Sequence, residues 1–314
     1  MVGRGLRSSD ASTASRQLRA SKRTWRRLTP YAFLAPTIVA LGLGNAIPVA
    51  IAVRLSFYHT SLAAGDEQFV GLDNYREILH SPEFVNSLTV TAKFTLTTVI
   101  GSIAIGLGLA LLMNGRFRGR SVVRSLLLIP WAMPLVPTAM IWRWLLNPTF
   151  GLISWFAQSV GRHGSPEWLQ DPALALTAVI VIQIWQLYPL AMVLYLAGLQ
   201  NIPHDLYEAA RVDGAGPWRA FLHITLPSVS GITVVLSLLI SLWAFGRTFT
   251  IIFLLTAGGP VDATKTLTLL TYQSAFQTLQ FGFASALGSL VFLIAALFAT
   301  ALLVTTRSRR AATT

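Results

Sequence analysis

Residues 208–227 read EAARVDGAGPWRAFLHITLP. The stretch is polar and charged, holds two separated glycines and two prolines, and lies between two long apolar runs. Just upstream, Pro203 suits a helix start, because its missing N–H would be unpaired there in any case. HDLYEAARVD then supplies two to three helical turns. Leu206, Ala209 and Ala210 make a small, smooth face, and Asp205, Glu208 and Arg211 a charged one. Gly214 can take the left-handed conformation that stops a helix. A second helix is expected near Trp218, with Pro227 marking entry to the next apolar run. Local chemistry therefore predicts a stiff stub with small side chains, a handle on which another surface can close.

What surrounds the stub explains it. The chain has 314 residues, 54% of them hydrophobic and 11% charged, whereas a soluble domain carries about 25% charged residues. Too little charge remains to cover a water-facing surface, so the chain reads as a membrane protein. The net charge of +12 does not point to nucleic acid, because the cations flank apolar segments. Arg4, Arg7, Arg16, Arg19, Lys22, Arg23, Arg26 and Arg27 crowd the amino-terminal tail, and Arg307, Arg309 and Arg310 close the other end. Residues 1–29 are expected to be a disordered basic tail held at anionic lipid. Cysteine is absent, which excludes disulfides, thiolate metal sites and thiol catalysis. The histidines are scattered through polar segments, so no metal site is expected.

A spanning helix needs about 20 apolar residues. Segments near 31–57, 87–113, 121–146, 173–200, 228–255 and 283–306 qualify, so the fold class is all-α: a polytopic bundle of six transmembrane helices over residues 30–314. The first run is too long for a signal-peptide core of about 7–15 residues. An even number of spans puts both termini on one side. The short segments on that side carry Arg116, Arg118, Arg120, Arg124, Arg211 and Arg219, which makes both termini and the loop 201–227 cytoplasmic. Gly42, Gly44, Asn45 and Pro48 are expected to break or bend the first span, and Pro189 the fourth. Gly101, Gly106 and Gly108 read as close-packing positions. Asp73 reads as a helix cap in the first outer loop, ahead of an apolar face of Tyr75, Ile78 and Leu79. Trp155 and Trp168 suit an interfacial belt, and Arg54, Lys93 and Arg143 are expected to snorkel.

Glu208, Ala209, Ala210, Gly214, Ile224, Leu226 and Pro227 stand at the spacing of the "EAA" loop of binding-protein-dependent ABC importer permeases, and the chain resembles that family. FVGLDNY (69–75), LLLIPWAMP (126–134) and LLTAGGP (254–260) resemble the carbohydrate-uptake branch, of the maltose and glycerol-phosphate transporter type, in its first permease subunit. The resemblance implies a type I importer permease fold in the bacterial plasma membrane. It also implies four partners: a second homologous permease, two ATPase subunits and an external solute-binding protein or lipoprotein. Leu206, Glu208, Ala209, Ala210, Asp213 and Gly214 would form the coupling helix seated in an ATPase. The chain holds no G-x-x-x-x-G-K phosphate loop, and its lysines are Lys22, Lys93 and Lys265. ATP and magnesium would thus belong to the partners, and this chain would be neither an enzyme nor a cofactor carrier.

The same resemblance puts Gln186, Leu187, Leu190, Ile240, Trp243, Ala244 and Arg247 at sugar-contact positions. Trp243 offers a flat apolar face for a pyranose, and Gln186 donates to and accepts from hydroxyls. Arg247, a charge near membrane depth, suits hydroxyls or a phosphate. An importer of glycerol phosphate or another phosphodiester is therefore the alternative. A secondary transporter is disfavoured, since none of the six spans carries an acid for ion coupling.

Overall fold

The computed structural model describes residues 33–60, 67–115, 117–159, 167–246 and 248–311. The basic tail and Arg247 lie outside them. Residues up to Arg54 and residues from Leu55 onward form separate compact units. The first is helix α1 (Phe33–Leu55), which runs unbroken through Gly42, Gly44, Asn45 and Pro48. The Asn45 amide donates to the Leu41 carbonyl at 2.7 Å, inside the helix, rather than marking a break.

The second unit opens on the one departure from an all-helical chain among the described residues. Strands β1 (Tyr58–Thr60) and β2 (Glu67–Phe69) pair antiparallel, Tyr58 facing Phe69. Asn74 Nδ2 ties the hairpin to α2 (Asp73–His80) by donating to the carbonyls of Ser56 and Tyr58. Asp73 is the first residue of α2 and not its cap; Leu72 holds the cap position without a side-chain hydrogen bond. Ile78 is fully buried, but Leu79 points outward, because consecutive residues lie about 100° apart on a helix.

Helices α3 (Pro82–Asn114) and α7 (Pro172–Gln200) form the spine. Along α3, Ser87, Thr91, Thr95, Thr98, Ser102 and Gly106 are buried at helical spacing, a stripe of small residues that lets backbones approach. A Cβ on Gly106 would lie 2.5 Å from Ala191 Cβ and 2.9 Å from the Met192 nitrogen. One on Gly101 would meet Ile184 Cδ1. Gly108, also read as a packing position, faces open space. The pairs 101/184 and 106/191 advance together, so α3 and α7 run parallel. The chain between them must cross back.

That return is not the single span expected over 121–146. It is α4 (Arg120–Ala132) and α5 (Leu135–Leu145), bent by 98°. The cause is Pro134, which disfavours helical backbone at the residue before it; Met133 is extended, at φ −75° and ψ 134°. Arg143 is exposed and donates to the Leu254 carbonyl at 3.3 Å. Beyond α5 the short α6 (Leu152–Ser159) precedes α7. Its Trp155 is well exposed, while Trp168 packs against the core.

Past α7 come α8 (His204–Val212), α9 (Pro217–Ala220), a π-helical turn (Phe221–Thr225) and α10 (Leu226–Ser228). A 61° bend separates the stretch Pro217–Ser228 from α11 (Ser230–Gly246). The break at Val229 lies beside Pro227, where the next apolar run is expected to begin. Beyond residue 247, α12 (Thr248–Leu255) follows. Helix α13 (Leu267–Phe276), in a segment read as outer loop, buries Leu267, Leu269 and Leu270. Thr91 Oγ1 accepts from the Leu267 N–H at 2.9 Å, serving its first turn from a neighbouring helix. Helix α14 (Phe281–Ala311) closes the unit. Among the described residues, four helices are long and apolar enough to cross a membrane, or six if each bent pair counts as one span.

Candidate functional site

Two places hold the residues singled out from the sequence. The first is α8. Its end is a Schellman arrangement: Gly214 has φ +75°, its N–H donates to Arg211 O at 3.1 Å, and the Ala215 N–H reaches Ala210 O at 2.8 Å. A side chain at Gly214 would be strained there. No residue of α8 is buried; Glu208 and Ala209 are exposed, and Leu206 is about half exposed. Tyr207 fastens the helix, its hydroxyl lying 2.9 Å from Thr225 Oγ1. His204, Tyr207 and Arg211 turn toward a cavity against the end of α3. Arg211 thus lines that cavity, away from the charged face on which it was placed with Asp205 and Glu208.

The second place is a small cavity of about 70 Å³ at the bend between α4 and α5. Gln183, Gln186 and Leu187 of α7, Trp243 of α11 and Trp131, Met133, Pro134 and Leu135 of the bend line it. None of these is charged. Gln183 and Gln186 are 95% buried, yet among the described residues neither amide oxygen has a hydrogen-bond partner. Leaving such an acceptor unpaired costs about 1–3 kcal/mol, an expense a ligand hydroxyl can remove.

The cavity brings Gln186, Leu187 and Trp243 together. Leu190 packs against the apolar cluster of α7 and α11 instead. Ile240 and Ala244 are buried in the core and do not line the cavity. Sequence reasoning missed Gln183 and the wall supplied by Trp131 and Met133. Gln183 stands three residues before Gln186, hence on the same helix face, and that spacing was the available signal. Among the described residues no group of three His, Asp or Glu is placed to hold a metal ion.

Residues 102–311 match the model of the binding-protein-dependent transport system inner membrane component family. The chain belongs to that family. This permease is 35% identical, over 89% of its length and 94% of the relative's, to the trehalose/maltose transport system permease protein of Thermococcus litoralis. It is 38% identical to the sulfoquinovosyl glycerol transport system permease protein of Agrobacterium fabrum, over 85% of this chain and 86% of that one. The fold matches a chain of a bacterial ABC transporter that imports alginate, with a TM-score of 0.77 and 22% identity over 93% of this chain and 99% of the other. The permease is accordingly a multi-pass membrane protein and a transport component rather than an enzyme.

Proposed function

We propose that this permease is the transmembrane subunit of an ATP-driven, binding-protein-dependent sugar importer in the bacterial plasma membrane, with both termini and α8 on the cytoplasmic side. The observation that carries the sugar reading is the pair of buried, unpartnered amide oxygens of Gln183 and Gln186 between Trp131 and Trp243. Hydroxyl groups satisfy such acceptors, and the indole faces suit the apolar side of a pyranose ring. The relatives' substrates, trehalose/maltose and sulfoquinovosyl glycerol, support a saccharide. Arg247, on which a phosphodiester reading rests, lies outside the described residues.

The partners are a second homologous permease, two ATPases that hold ATP and magnesium, and an external solute-binding protein. Leu206, Glu208, Ala209, Ala210, Asp213 and Gly214 form the surface that seats in an ATPase groove, with Glu208 paired to a base there. A mechanical path then leads to the sugar. Tyr207 holds α8 to Thr225, and Trp218 stacks on Phe221 at 5.4 Å. Past the 61° bend the chain enters α11, where Thr233 accepts a 2.7 Å hydrogen bond from Tyr195 of α7; Gln186 and Gln183 lie on that same α7. Closure of the ATPases turns these packed helices as bodies and exposes the cavity to one side or the other.

The test is uptake of a labelled saccharide into proteoliposomes holding the permease and its partners. Uptake must require ATP and both ATPases. Transport by the permease alone would overturn the reading.

A further inference from the structure

We propose that this permease carries a binding site for an anionic phospholipid at the end of the bundle that bears α8. Two adjoining cavities meet there and share Asn114 and His204 as lining residues. The larger, of about 890 Å³, is almost wholly apolar: Leu111 at the end of α3 faces Pro217, Trp218, Ala220 and Phe221. The smaller, of about 610 Å³, is mixed in character and is walled by Arg120 and Gln200. Arg211 stands on the lining of the larger one. Among the described residues, no aspartate or glutamate lines either cavity.

An apolar hollow joined to a cationic one matches an amphiphile with a negative head. The apolar volume lies in the range of about 300–1,000 Å³ typical of ligand sites, and a free phosphate would leave it unused. The long apolar helix α3 ends here, and Trp218 is 69% exposed beside the opening, the setting in which tryptophan marks the headgroup level of a bilayer. Basic pockets between spanning helices are a recognised form of lipid headgroup site. The charge on α8 is divided to the same effect. His204 and Arg211 face the cavities, while the exposed Asp205 and Glu208 do not line them. The acidic side remains for the basic groove of an ATPase, a step that rests on the proposed function; the lipid site itself does not.

The test uses the assembled transporter in mixed micelles of phosphatidylglycerol and phosphatidylcholine, with native mass spectrometry of the lipid retained. The expected result is about a tenfold preference for phosphatidylglycerol. Arg120→Gln with Arg211→Gln should bring it to parity, and the double Arg→Lys variant should keep it. Inorganic phosphate should not displace the lipid. A photoactivatable phosphatidylglycerol should label residues 217–225 of the unmodified complex, a readout independent of how the variants fold. A phosphatidylglycerol preference undiminished in the double Arg→Gln variant, displacement by phosphate alone, or labelling confined to other helices would overturn the site. So would quantitative cross-linking of Trp218→Cys to the second permease in native membranes, since that would make the hollow a protein contact. Lipid retention is read without sugar, so this result and the transport assay fail or stand separately.

Discussion

The spine of α3 and α7 and the stub α8 are both regular helix, yet they are held in opposite ways. The spine is defined by what it buries: the small-residue stripe of α3, Gly106 against Ala191, and Tyr195 fully enclosed. The stub buries nothing and is held by a proline entry, a Schellman exit and the Tyr207–Thr225 hydrogen bond. Isolated helices this short are marginal in water, so a free-standing stub fixed at three points is a structure kept rigid for use by something else. Substitutions in the spine should therefore register as stability, and substitutions on the stub as transport.

The largest expected effect is on the stub. Glu208→Lys reverses a charge that the proposed function pairs with an ATPase, and such losses run to about 2–5 kcal/mol, or roughly thirtyfold or more in uptake. Insertion and thermal stability should stay at the parent's level, because Glu208 is exposed. Wild-type uptake in proteoliposomes would break the comparison. Next comes the spine. Gly106→Val overfills the α3–α7 contact and should cost about 1–3 kcal/mol, seen as a lowered melting temperature in detergent. Gly108→Ala, two residues on, faces open space and should lie within about 0.5 kcal/mol of the parent.

The cavity sharpens the contrast, for it sits on the spine but should behave like the stub. Gln186→Leu and Gln183→Leu should each raise KM for the saccharide about tenfold, the effect of roughly one lost hydrogen bond. Their melting temperatures should be unchanged or higher, because each change removes an unpaired buried oxygen. A drop in stability with unaltered KM would make the glutamines helix-to-helix glue.

A smaller effect than that of Gly106→Val belongs to an ion cluster of Lys265, Glu83 and Asp262. Lys265 Nζ lies 2.6 Å from Glu83 and 2.7 Å from Asp262. Burial alone would lower its pKa, but the hydrogen bonds and charges of Asp262 and Glu83 outweigh burial and leave it raised. A raised lysine stabilises the fold fully below its unfolded value near 10.5 and loses that contribution only as pH climbs through the folded value. Lys265→Met should therefore cost about 1 kcal/mol at neutral pH, and thermal melts should show no dependence on this group until strongly alkaline pH.

The stub was the most legible part of the molecule, since Pro203 and Gly214 act through local backbone rules that a sequence displays directly. The long spans were legible for the same kind of reason: apolar length is a local quantity. The bend at Met133 was readable in principle from Pro134, but apolar composition on both sides masked it. Helix α13 was hidden because Thr266, Thr268, Thr271, Gln273 and Ser274 make it look like loop, and it exists through burial of leucines against partners far along the chain. Lys265 meets Glu83 across 182 positions, which no window on the sequence spans. The cavity was half legible. A family comparison points at Gln186 and Trp243, whereas Gln183 and Trp131 belong to the site only because the bend carries a tryptophan to the face of α7.

The π-helical turn at Phe221–Thr225 has its own consequence. Such a turn is an α-helix with one residue too many, and each residue of an α-helix is worth about 100° of rotation. The wide turn takes up that extra residue, so deleting one amino acid between 221 and 225 would restore an ordinary helix and leave the segments on either side close to their present directions. The connection between α8 and α11 can thus lose one residue at this turn with its direction kept.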